Sequence, residues 1–185
     1  MTVWTKESVA PVQRRVRNVL MVGQVMAGLG MGATLSIGAI LAGQLAGSDA
    51  FSGMAATAAT LGAALAAVPL ARLAARFGRR VSLTTGAALA AMGALITIAS
   101  TFFESFAVLL LGLTMIGVGT AVNLQSRFAA TDLAAKETRG RDLSLVVWAT
   151  TVGAVSGPNL ITPGESIGAF LALPALAGPF IFTFF

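Results

Sequence analysis

The chain has 185 residues, of which 56% are hydrophobic and 10% charged, with a net charge of +5. A soluble domain carries about 25% charged residues, so the composition points toward a membrane protein, and the placement of the charges decides it. With no cysteine and no histidine, disulfides, thiol catalysis, imidazole metal sites and Ser-His triads are excluded within the chain, and no cofactor is expected.

In chain order, residues 1–17 carry Lys6, Arg14, Arg15 and Arg17 and read as a cytoplasmic amino terminus. The charges then divide the remainder, 18–185, into uncharged blocks at 18–48, 50–71, 81–103, 105–126, 143–164 and 166–185. A bilayer core of about 30 Å needs roughly 20 apolar residues in a helix, so six spanning helices are predicted. The first block is far longer than the 7–15 residues of a cleaved signal's apolar region, which makes it a retained span. Ala- and Gly-rich runs without period-2 alternation do not suit a barrel. Helices are then the remaining way to pair the backbone in lipid.

Span one runs from about Asn18 to Gly43–Gly47. Its Gln24, Gly28, Gly32 and Ser36 step by four residues and form one polar-small stripe. Span two covers about 51–70 and is followed by the basic turn 71–80, where Gly78 permits a tight conformation. Span three covers 81–101. Span four, 106–125, carries Met115, Gly119 and Asn123 near one face. The charged stretch 127–142 reads as a solvated turn with surface ion pairs of little worth. Span five, 143–160, places Gly153 and Gly157 one turn apart, a spacing that lets helices approach closely, with Pro158 bending the helix. Span six, 167–185, contains Pro174 and Pro179 and stops inside an apolar run, so it reads as truncated.

All twelve Lys and Arg lie in the amino terminus, the 72–80 turn and the 127–141 turn, whereas the other three connections hold only Asp49, Glu104 and Glu165. This is the positive-inside pattern. It predicts a cytoplasmic amino terminus in a multi-pass protein, and ten Arg against two Lys with many Ala and Gly point to a bacterial genome and hence to the bacterial inner membrane. It also explains the net positive charge without nucleic-acid binding. No ionisable residue lies deep in any span, so no buried proton carrier is predicted.

Two segments resemble the major facilitator superfamily of secondary transporters. Ala71-Arg72-Leu73-Ala74-Ala75-Arg76-Phe77-Gly78-Arg79-Arg80 is similar to its signature loop G-x-L-x-D-R-x-G-R-R, with Ala71 in place of the Gly and Ala75 in place of the Asp. Gly153-Ala154-Val155-Ser156-Gly157-Pro158 resembles the G-x-x-x-G-P motif of its antiporters, although the Gly-Gly that follows in the family is Ile161-Thr162 here. The family's span-four Arg is missing. The resemblance implies an all-α membrane protein, with six transmembrane helices as two inverted three-helix repeats forming the amino-terminal half of a larger transporter. It implies that Gln24, Ser36 and Asn123 face substrate. Arg76, Gly78, Arg79, Arg80, Asp132 and Arg139 would form a gating loop region, and Gly153, Gly157 and Pro158 a helix bend. The expected function is membrane transport of a small organic molecule by alternating access, as efflux by ion-coupled antiport. Its partners are the lipid bilayer, the substrate and a missing carboxyl-terminal half or second copy. The rival readings are a six-span structural or channel-like homo-oligomer paired through spans two and five, or an inactive fragment.

Overall fold

A computed structural model describes residues 6–156 and positions 159, 163, 166, 167 and 170. Five helices account for almost all of it: α1 Lys6–Ala46, α2 Gly53–Phe77, α3 Arg79–Phe103, α4 Phe106–Asp132 and α5 Arg139–Ser156, with one 3₁₀ turn at Asp49–Phe51. Four segments are long and apolar enough to cross a membrane: Pro11–Ala46, Asp49–Phe77, Arg79–Phe103 and Phe106–Asp132. The predicted sixth span falls almost wholly outside the described residues.

The helices overrun the apolar blocks that predict them. At 1.5 Å per residue, the 41 residues of α1 reach about 60 Å, twice the bilayer core. The basic amino-terminal segment is therefore helical from Lys6. The 127–142 stretch is not the solvated turn that its charges suggest. α4 continues to Asp132 and α5 starts at Arg139, which leaves only 133–138 between them. Helix formation persists here because the backbone hydrogen bonds cost nothing extra once the apolar segment has nucleated them.

The contacts between helices fix their directions. Along α3 and α4, Ser82 meets Gln125, Gly86 meets Val122, and Gly93 meets Met115 and Ile116. Rising numbers on one helix pair with falling numbers on the other, so the two are antiparallel. Along α1 and α5, Gln13 and Arg17 meet Asp142, Gln24 meets Thr150 and Gly28 meets Gly153. Both numbers rise, so these helices are parallel. The result is an up-and-down bundle in which the amino-terminal extension, the α2–α3 turn and the α4–α5 turn share one basic end.

At the opposite end Ser48 caps the 3₁₀ turn and Ser105 caps α4, each hydroxyl accepting a bond from an otherwise orphaned backbone N–H. Phe51 and Phe106 meet there edge to face with centroids 5.8 Å apart, a favoured aromatic geometry. The buried cluster Ile37, Leu41, Leu109, Leu113 and Ile116 lies between α1 and α4. Much apolar surface faces outward, including Leu61, Leu65 and Val68 on α2 and Leu111, Leu124 and Phe128 on α4. In water such a surface would be an aggregation liability. Against lipid or another helix it is the ordinary outer face of a spanning bundle.

Candidate functional site

Two close helix crossings set the frame of the candidate site. A Cβ built on Gly28 would collide with the Thr150 carbonyl oxygen and lie 2.9 Å from Gly153 Cα. One built on Gly153 would collide with the Val25 carbonyl oxygen and lie 2.9 Å from Gly28 Cα. The α2–α4 crossing has the same form: Gly62 faces the Thr114 carbonyl and Gly117 faces the Ala59 carbonyl. In both seams each glycine meets the carbonyl three residues before its partner glycine. Backbones can approach this closely only because neither side carries a Cβ, and close packing is the main attraction between helices in lipid. Gly153 is thus occupied inside this chain, against α1. The close approach that the span-five spacing allows is made at Gly153 to a helix of this chain. Gly157 and Pro158 lie outside the described residues.

Gln24, in the polar stripe of α1, belongs to the same seam as Gly28. Gln24 is 3% exposed, and its Oε1 accepts a 2.6 Å bond from Thr150 Oγ1. It faces α5, not an open cavity. Ser36 lies on α1 with its side chain outside the described part of the structure. Asn123 is also buried, but its Oδ1 has no hydrogen-bond partner among the described residues, and neither has Arg127 Nε one turn further along α4. Orphaned buried polar atoms are uncommon in folded proteins; among the described residues the others are on Gln13, Arg17, Thr34 and Thr97. On the outer side, α2, α3 and α4 form an apolar groove of about 400 Å³ that includes Leu65, Pro69, Leu73, Leu89 and Met115.

The basic end holds the turn residues. Gly78 joins α2 to α3 at φ 88° and ψ 163°, a region that is essentially glycine-only. Its N–H donates to Ala74 O at 3.0 Å, closing α2. Arg79 then starts α3, and its Nε lies 2.9 Å from Asp132 Oδ2 at the last residue of α4. The pair bridges the α2–α3 and α4–α5 connections, so two residues singled out separately in the sequence come together. Both side chains are close to half exposed, and such a pair contributes at most about 1 kcal/mol. Arg76 is in the last turn of α2, Arg80 in the first turn of α3 and Arg139 at the start of α5. No described bond brings these three to the Arg79–Asp132 pair.

Sequence reasoning missed the tighter cluster beside it. Asp142 is only 3% exposed. Its Oδ1 takes a 3.1 Å ion pair from Arg17, and its Oδ2 accepts a 2.8 Å bond from Gln13 Nε2. The same Gln13 amide reaches Ala130 O at 2.8 Å. Three helices are thus tied at one point. A usable signal was present: Gln13, Arg17 and Gln24 share one face of a helix, but only if the helix is known to begin before Asn18.

The Major Facilitator Superfamily model matches residues 20–184. The chain belongs to the major facilitator superfamily. It is 38% identical over 168 residues to the uncharacterized MFS-type transporter YdeG of Bacillus subtilis (strain 168), covering 91% of this chain and 39% of YdeG. It is 36% identical over 170 residues to the uncharacterized MFS-type transporter YddS of the same organism, covering 92% of this chain and 39% of YddS. A third relative is the riboflavin transporter RfnT of Brucella anthropi, 30% identical over 152 residues, with 82% of this chain and 38% of RfnT covered. The chain therefore spans about two fifths of the length of the curated relatives it matches. No solved structure matches it. Superfamily membership makes this a multi-pass membrane protein of a transporter family, and four of the described segments are long and apolar enough to be its spans.

Proposed function

We propose that the chain is the amino-terminal half of a transporter in the bacterial inner membrane. It moves a small amphipathic organic molecule out of the cell by alternating access, coupled to an ion moving inward. The basic end is cytoplasmic, and a second six-helix half, or a second copy, completes the substrate path. The observation that carries this reading is that 91% of the chain matches only 39% of YdeG, a length relation that suits one half of a two-half transporter. The matched seams, Gly28 with Gly153 and Gly62 with Gly117, support the inverted-repeat reading: α1 with α5 in one seam corresponds to α4 with α2 in the other. The Arg79–Asp132 pair supports a gating role for the two cytoplasmic turns, to which Arg76, Arg80 and Arg139 also belong by their places at the helix ends. The orphaned Oδ1 of Asn123 supports it as a ligand-binding group, whereas the Oε1 of Gln24 is taken by Thr150, which supports a packing role in the seam. A relative named for riboflavin favours a planar solute with a polar periphery.

The homo-oligomer reading draws on the small residues of spans two and five. Gly62 and Gly153 are both consumed in seams within this chain, which counts against it. The test uses inside-out membrane vesicles that contain the complete protein, energised with an ion gradient and offered a panel of planar fluorescent solutes. Efflux in the cell becomes uptake into these vesicles, and collapsing the gradient abolishes it. Equal accumulation with and without the protein would overturn the proposal.

A further inference from the structure

Among the described residues, four of the six buried polar atoms without a partner come from two helix turns at the basic end. Gln13 Oε1 and Arg17 Nε belong to α1, and Asn123 Oδ1 and Arg127 Nε to α4. Each pair is four residues apart and so shares one helix face. The Gln13 amide nitrogen donates to Ala130 O at 2.8 Å, and further along Gly38 meets Leu113, so α1 and α4 run antiparallel. One turn inward from the Gln13–Ala130 contact, Arg17 on α1 comes level with Arg127 on α4, and Asn123 follows one turn later. Gln13 and Asn123 are only 7% and 5% exposed.

Charge points the same way. Asp142 is buried against this contact, and both its oxygens are taken, one by Arg17 and one by Gln13. Further in on the same face of α5 stand Val146 and Ala149, and Thr150 is bonded to Gln24. Glu137, in the connection before α5, is exposed. Arg127 is half-buried, and no ion pair or hydrogen bond joins it to another described residue. Two guanidinium groups therefore share one carboxylate, whereas buried charges are ordinarily paired.

The donor set narrows the ligand. Two guanidinium N–H groups call for the oxygens of a carboxylate or a phosphate. The Gln13 amide is fixed in orientation, because its nitrogen serves two acceptors, so its Oε1 needs a donor. An ionised carboxylate has none. A phosphate monoester keeps a hydroxyl up to about pH 6, and a phospholipid offers a phosphate beside a headgroup hydroxyl or ammonium. Arg17 and Arg127 directly border the charge-free blocks 18–48 and 105–126, and basic pockets between spans at the cytoplasmic side suit anionic headgroups.

Resting on the reading of Asn123 as a ligand-binding group, we propose that the Gln13–Arg17 turn of α1 and the Asn123–Arg127 turn of α4 form a site for a phosphate group accompanied by a hydrogen-bond donor. The arginines hold its oxygens, Gln13 accepts from its donor, and Asn123 meets it with either end of its amide.

The complete transporter is melted in uncharged detergent at about pH 6, where a phosphate keeps a hydroxyl, with inorganic phosphate titrated at fixed ionic strength. Phosphate should raise the wild-type Tm by at least about 3 °C, and sulfate, which has no proton to donate, should raise it less. Arg127→Gln should weaken the response at least about tenfold, while Arg15→Gln, at an exposed arginine of the same end, leaves it unchanged. Without phosphate, Arg127→Gln should melt at or above wild type, because the unpaired charge is gone; a purely structural arginine would give the opposite sign. Asn123→Asp places a carboxylate one turn from Arg127 and should also abolish the response. The same variants in phosphatidylcholine nanodiscs, with and without phosphatidylglycerol, separate the sources. Stabilisation by phosphatidylglycerol alone, lost in Arg127→Gln and kept in Arg15→Gln, assigns the site to a lipid headgroup; a response to free phosphate assigns it to a solute. A wild type that responds to neither probe more than Arg127→Gln overturns the proposal. Vesicle uptake of the solute panel by Asn123→Ala reads the solute role of Asn123 separately.

Discussion

Gly117→Ala is the sharpest perturbation of the frame. The added methyl would lie 2.7 Å from the Ala59 carbonyl carbon and 2.9 Å from its Cα, whereas comfortable carbon–carbon contacts are about 3.5–4.0 Å. Ala59 offers backbone, with no flexible side chain to swing aside, so α2 and α4 must separate by several tenths of an ångström to about 1 Å. Separation also loosens Gly62, which rests on Thr114 in the same seam. Overpacking of this kind costs about 1–3 kcal/mol, and no hydrophobic force holds helices together in lipid to offset it. For a domain of this size that is a melting-temperature loss of roughly 2–12 °C. Gly23→Ala is the matched control: it is a helical glycine with nothing within 4 Å of the built Cβ. There alanine's better helix propensity, worth up to about 1 kcal/mol, should leave stability equal or higher. Thermal unfolding of the complete protein in one detergent compares the two. A Gly117→Ala variant that melts with Gly23→Ala would refute the seam as a tightly packed contact.

Other substitutions follow from the same geometry. Asp142→Asn removes the Arg17 ion pair and one anchor for Gln13. Breaking a fully buried pair costs about 3–5 kcal/mol; with the Arg17 side chain 21% exposed, about 2 kcal/mol is expected, and adding Arg17→Gln should recover part of the lost melting temperature. Gly78→Ala forces a Cβ onto a backbone at φ 88° and should cost about 1–3 kcal/mol, read by the same melting curve. Gln24→Leu should cost only about 0.6 kcal/mol, because Thr150 can still donate to Val146 O at 3.3 Å; uptake by the variant should equal wild type within twofold if Gln24 serves packing alone. Asp132→Asn should change stability by less than about 1 kcal/mol yet alter the uptake rate, since its pair with Arg79 joins the two proposed gating turns.

What could be read from the sequence was whatever depends on charge spacing. The charge-free blocks located α2, α3 and α4 to within a few residues, except where α2 and α4 run on toward the basic end. Within the predicted 71–80 turn only the position of Gly78 was legible, from its spacing to the arginines, because residues 71–77 and 79–80 are helical. Asp142 was not, because a carboxylate among basic residues looks solvated until the partner helix is known to extend back to Gln13. Nor was the correspondence of the two glycine seams legible. Gly28 and Gly117 share only the short pattern Met-x-Gly-x-Gly, at 26–30 and 115–119, which is too brief to mark a repeat; their equivalence lies in which carbonyl each one meets. Gln24 and Gly28 looked like a stripe facing a cavity for a related reason: periodicity gives the face of a helix, and only packing shows what that face touches.

The claim on which the rest depends is that this chain is one half of a two-half transporter. The most direct measurement is the size of the native polypeptide, detected in membranes with an antibody raised against the 133–138 connection and its flanking turns. The account predicts a band more than twice the length of this chain, or this chain co-purifying with a second six-span partner or copy. A polypeptide of 185 residues that is monomeric in the membrane and still moves solute would contradict it.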